Sequence, residues 1–132
     1  MEAQSFEDLE RVSADYREKN DCTVKAIALA CGVSYGKAHR TLAKLGRQRG
    51  RGVTMATIAE ALKRLGVTVN LYEALNHDAI DLTIKRFARE YREGNYIICT
   101  RAHAIAVREG ELIDWTAETA GRRKVVSVWR VK

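Results

Sequence analysis

Proline is absent from this chain of 132 residues, cysteine occurs only three times, and no apolar run approaches the roughly 18 residues that a membrane-spanning helix requires. The missing proline carries no functional reading; the other two absences each exclude something. Without a long apolar run, the chain is expected to be soluble and to have no membrane partner. Cys22, Cys31 and Cys99 are odd in number and lack metal-type spacing, so neither a disulfide framework nor a structural zinc is expected and free thiols are the default. The first ten residues are acidic and lack the basic-then-apolar order of a secretory signal, which predicts a cytoplasmic protein. No repeat, low-complexity tract or linker interrupts the sequence, and its length suits a single domain, 1–132, with 1–19 as a helical arm and 20–132 as the core.

What the chain does have is an uneven charge. Its formal net charge is +6, yet residues 1–21 hold seven acids against three bases, which leaves the remainder at +10. Arg40, Lys44, Arg47, Arg49 and Arg51 fall within 40–52 without an acid between them. Such a stretch permits a polyanionic partner and serves equally as a solvated surface.

Hydrophobic spacing predicts helices first and strands afterwards. Phe6, Leu9, Val12 and Tyr16 recur at steps of three and four, giving an amphipathic helix over 5–18 with Ser5 as its cap. Residues 22–31 are apolar on nearly every side except at Lys25, the pattern of a buried helix. Gly32 ends that helix and Ser34 caps the next, whose Ala38, Leu42 and Leu45 face a core until Gly46. Arg47 to Gly52 reads as a flexible basic loop, and Thr54 opens a helix carrying Met55, Ile58, Leu62 and Leu65. A short β-rich run, 67–72, follows. Asp78 or Asp81 is expected to open a helix bearing Ile84, Phe87, Ala88 and Tyr91. Strands are expected at 96–100, 103–108, 111–115 and 125–131. The fold class is therefore α+β, with N-terminal helices packed on a C-terminal antiparallel sheet.

Two stretches carry candidate chemistry. Cys22 stands at the front edge of its helix, where free N–H groups and the positive end of the helix dipole favour a thiolate and can hold an oxyanion. Residues 102–115 read as a hairpin turning at Glu109-Gly110, which sets Arg108 opposite Glu111 and Ile105 opposite Asp114. Side chains two apart on a strand share a face, so His103, Ile105 and Asp114 are expected on one side. That makes His103 and Asp114 diagonal neighbours, with Cβ atoms roughly 7 Å apart or less. Nucleophile, base and orienting carboxylate then follow in the order Cys, His, Asp. Cys31 and Cys99 are expected in the core, and His39 and His77 on the surface.

A helix beginning at Cys22, a histidine starting a central strand and a polar residue on the next strand resemble a minimal papain-like cysteine peptidase. Asn20-Asp21-Cys22 before an alanine-rich helix, the Gly50-Arg51-Gly52 loop and His103-Ala104-Ile105-Ala106-Val107 before a Glu-Gly turn resemble small bacteriophage proteins of that class, over about residues 20 to 131. The resemblance implies Cys22 as nucleophile, His103 as base and then acid, and Asp114 as orienting residue, with Trp115 shielding the pair. It also implies a protein or peptide substrate, no metal or organic cofactor, and the host cytoplasm as location if the protein is phage-encoded. Arg47, Arg49, Arg51 and Trp115 are candidate contacts to substrate or polyanion. Papain-like enzymes usually carry a glutamine several residues before the cysteine, whereas Tyr16 stands six back here; the Asn20 amide is the nearest substitute for the oxyanion hole.

Two other classes remain open. Ala28, Gly32, Val33 and Ala38 have the spacing of a helix-turn-helix with Tyr35-Gly36-Lys37-Ala38-His39-Arg40 opening a recognition helix, so 25–52 also reads as a nucleic-acid-binding unit. The third reading is a non-enzymatic protein-binding module that blocks a host factor through the arginine loop.

Overall fold

The helix that begins at Cys22, α2 (Cys22–Cys31), lies at the centre of the helical layer because every residue from 23 to 30 is buried. A helix apolar all round has no face to offer water and is stable only when covered. Lys25, its expected polar exception, is itself buried. The computed structural model describes residues 6–66, 69–70, 82–101, 103–113 and 122–131. Around α2 pack α1 (Phe6–Asp15), α3 (Tyr35–Lys44) and α4 (Met55–Arg64), which contribute Leu9, then Tyr35, Ala38 and Leu42, then Ile58, Ala61 and Leu62 to one core. Ser34 and Thr54 cap α3 and α4 as their sequence positions predict, accepting hydrogen bonds from Lys37 N at 3.1 Å and Thr57 N at 3.2 Å.

Helix α1 stops at Asp15 rather than running to 18. Arg17 takes a left-handed φ of 54°, and the N–H groups of Arg17 and Glu18 close back on Ala14 O at 3.0 Å and Ser13 O at 3.1 Å. This paired closure ends a helix and reverses the chain, here turning Glu18 inward. Ser5, the expected cap, lies outside the described residues. So do His77, Asp78 and Asp81; the helix expected after them, α5 (Ile84–Glu90), is capped by Thr83, whose hydroxyl accepts from Arg86 N at 3.2 Å.

Five strands are described: β1 (Val69–Asn70), β2 (Asn95–Cys99), β3 (Ala104–Arg108), β4 (Glu111–Ile113) and β5 (Ser127–Val131). They pair antiparallel throughout in the order β1-β5-β2-β3-β4. The β3–β4 hairpin turns at Glu109 and Gly110, both with positive φ (49° and 79°), and sets Arg108 opposite Glu111. That is the two-residue connection whose twist matches the strands. Alternation along the strands divides the core in two. Ile97, Cys99, Ala104, Ala106 and Trp129 pack beneath α1 to α4, whereas Tyr96, Ile98, Ile105, Val107 and Val128 pack against Phe87 and Ala88 of α5. The architecture is α+β. Among the described residues no helix is long and apolar enough to cross a membrane.

Candidate active site

Helices α3, α4 and α5 each begin under a hydroxyl cap, but α2 does not. Asp21 stands at its cap position and makes no side-chain cap bond. Its buried carboxylate turns away instead, accepting from Ser13 Oγ and Tyr35 OH at 2.6 Å each and facing Lys25 Nζ at 3.3 Å. Burial works to raise the Asp21 pKa, but the two hydroxyl bonds and the Lys25 charge outweigh it and hold the carboxyl below its ordinary value. Lys25 also donates to Glu10 Oε1 at 2.7 Å. The start of α2 thus keeps its dipole and first-turn N–H groups without a side-chain acceptor of its own.

Cys22 occupies that start and is half-buried. The His103 side chain, the Ala104 backbone N–H and the Thr23 side chain lie close enough to its sulfur to favour the thiolate. Burial would raise the thiol pKa; these groups and the imidazole's charge more than offset it, so the thiol lies below its ordinary value. The other two cysteines go the opposite way: burial pushes Cys31 up to about 12 and Cys99 up to about 11. Cys22 and His103 line a cavity of about 550 Å³, walled on one side by Glu10, Ser13 and Ala14 of α1 and on another by Ala104 and Ile113 of the sheet.

His103 reaches the cavity from the connection just ahead of β3. It precedes the first ladder residue of β3, and its carbonyl accepts from Thr100 N at 2.8 Å and Thr100 Oγ1 at 3.3 Å, closing the connection from β2. Ile105, expected to share its face, packs in the α5-side core, whereas Cys22 packs against the α2-side core. Ile105 nevertheless borders the same cavity as His103. Asp114 and Trp115 lie outside the described residues.

A second cluster lies one turn of chain away. The Glu18 side chain is fully excluded from solvent and accepts from Arg47 Nη1 at 2.7 Å and Gly50 N at 2.8 Å, with His39 Nε2 at 2.5 Å. Burial opposes the charge, but Arg47, Gly50 and His39 bring the Glu18 pKa down to about 2. Two expectations fail here. Arg47 is buried, its side chain 2% exposed, so it is not a surface contact for substrate or polyanion. His39 is half-buried, stacked on Tyr35 and tilted against Tyr16, so it is not a surface histidine. The cause is the same in both cases: the inward turn at Arg17 delivers a carboxylate that no local spacing announces.

Asn20, with a left-handed φ of 52°, borders the cavity and donates Nδ2 to Gly50 O at 3.0 Å. Gly50 is thus held by Glu18 on its N–H and by Asn20 on its carbonyl. Arg49 and Arg51, on either side of it, are exposed, as are Lys37, Arg40 and Lys44 of α3. The α2–α3 connection turns at Gly32 (φ 67°), as a helix-turn-helix would, but α2 is covered by the sheet and the other helices. Among the described residues no group of three or more His, Cys, Asp or Glu side chains is placed to hold a metal ion. No protein-family model, curated protein or solved structure matches the chain.

Sequence reasoning missed Glu18, the Asp21 bonds to Ser13 and Tyr35, and the Ala104 N–H. Asp21 offered the one signal: a carboxylate at a helix start with no Glu or Gln three residues on to complete a capping box.

Proposed function

We propose that this chain is a small papain-like cysteine hydrolase that opens a peptide or isopeptide acyl bond, with Cys22 as nucleophile and His103 as base and then acid. The observation that supports it most is that Cys22, at an uncapped helix start, and His103 line one cavity close enough for the imidazole to favour the thiolate. Helices followed by an antiparallel sheet, with the histidine just ahead of an inner strand, are in keeping with the papain-like arrangement.

In this reading the thiol proton passes to the imidazole and the Cys22 sulfur attacks the carbonyl carbon, forming a C–S bond and an oxyanion. First-turn N–H groups of α2 hold the oxyanion, with the Asn20 amide beside them. The imidazolium then protonates the departing amine as the C–N bond breaks, leaving a thioester. Water, deprotonated by His103, attacks the thioester; the C–S bond breaks and the proton returns to the sulfur. Asp114, the residue after the end of β4, is the orienting group for the imidazole, the role that fixes tautomer and ring position in such sites.

Iodoacetamide labelling at pH 6.5, read residue by residue by mass spectrometry, tests this. Alkylation is expected at Cys22 ahead of Cys31 and Cys99 and is expected to slow about 10-fold in His103→Ala. Equal labelling of the three cysteines would sink the proposal and leave a binding role.

A further inference from the structure

Each carboxylate that borders the cavity faces a cation within the protein, although two of them share one. Glu10 and Asp21 share Lys25, and Glu18 is held by Arg47. One cation on the cavity border, Lys19, and two beside it in the chain, Arg49 and Arg51, have no such partner among the described residues. Lys19 borders the cavity and its stem lies over Gly50, whose missing Cβ would stand 3.3 Å from the Lys19 Cε. Gly50 is clamped at both backbone groups by Glu18 and Asn20, and Gly52 again borders the cavity. Arg49 and Arg51 flank the clamped residue, both exposed, and like Lys19 they form no ion pair among the described residues.

From this we infer that Lys19, Arg49 and Arg51 form an anion-selecting rim, and that the substrate is a polypeptide with acidic side chains beside the bond to be opened. The inference rests on the proposed cysteine chemistry and adds the sign of the substrate's charge. A rim of one sign beside walls whose carboxylates already face cations raises the local concentration of oppositely charged segments and orients them at the mouth. The clamp matters because an arginine pair on a free loop would lose that orientation; here the backbone between the two arginines is fixed two residues before Cys22. Exposed pairs are individually weak and fade with salt, so the effect is a preference among substrates rather than an absolute requirement.

The experiment uses acetylated tripeptide chloromethyl ketones that end in glycine and carry two glutamates, two glutamines or two lysines. Each alkylates a reactive thiol with loss of chloride, and its second-order rate is divided by that of iodoacetamide for the same protein variant. At low salt the diglutamate probe is expected to react about 10-fold faster than the diglutamine probe, and the dilysine probe slowest. The ranking should contract in 0.5 M salt and reverse in Arg49→Glu/Arg51→Glu. Lys19→Glu gives the same reversal in weaker form should the double variant not fold. Three probes reacting within twofold of one another, or a ranking that survives charge reversal, would overturn the inference. So would protection of Cys22 by a 20-base-pair DNA duplex with no ranking among the peptides, which assigns the rim to nucleic acid. Cys22 labelled by iodoacetamide no faster than Cys31 and Cys99 removes the cysteine chemistry itself; fast labelling without a charge ranking removes the rim alone.

Discussion

Two histidines in this protein each meet an acidic partner, His103 with Cys22 and His39 with Glu18, and both partners have their pKa lowered. The pairs differ in what surrounds them. Glu18 spends its acceptors on Arg47, Gly50 and His39, and its side chain has no contact with solvent. Cys22 is half-buried on a cavity wall, at a helix start whose cap residue has turned away. A satisfied, sealed pair rigidifies; a pair with open space before it has room for a reacting group. The two are also linked, since Glu18 fixes Gly50 and through it the chain leading into Cys22.

The largest effect should come from breaking the sealed pair. Glu18→Gln leaves Arg47 buried without its counter-charge, and a loss of about 3 kcal/mol in urea unfolding is expected at pH 7. Because the Glu18 pKa is depressed from 4.5 to about 2, its contribution is complete above pH 4.5 and disappears as pH falls towards 2. The gap between wild type and Glu18→Gln should therefore close over that window, and a gap independent of pH would contradict the ion-pair account.

Next in size is the contrast among thiols. With Cys22 below its ordinary value of 9.0 and Cys99 raised to about 11, the thiolate fraction at pH 6.5 differs by at least about 100-fold, and alkylation rates should follow. Unfolding in urea should erase the difference. Removing the base has a smaller effect: His103→Ala is expected to slow Cys22 alkylation at pH 6.5 about 10-fold and to move its pH profile upward, while the His39→Ala profile stays in place. Smallest is an ordinary cap. Thr54→Ala should cost about 1 kcal/mol of stability and leave Cys22 labelling unaltered, which separates a helix start that is closed from the one that is left open.

Much of the frame was legible in the sequence. Ser34, Thr54, Gly32 and the Glu109-Gly110 turn act locally, through hydroxyl geometry and positive φ, and these elements form where their residues predict. The uninterrupted apolar character of 22–31 marked α2 as buried for an equally local reason. The α5 cap and the end of α1 differ from expectation because nearby aspartates and a continuing apolar period outweigh quieter signals at Thr83 and Arg17. His103 is legible from its place at the start of a hairpin strand, and Asp114, the carboxylate expected beside it, lies outside the described residues.

By itself, then, the sequence determined the order of helices and strands, the buried status of α2 and the position of Cys22 at its start, since each depends on neighbours within a turn or a strand. Tertiary structure alone decided that His103 and the Ala104 N–H meet the Cys22 sulfur, that Glu18 seals Arg47 and His39, and that Asp21 abandons its cap for Ser13 and Tyr35. Those contacts span 8 to 82 residues of chain, and no local propensity encodes a hydrogen bond whose partners are brought together only when α2 is laid against the sheet.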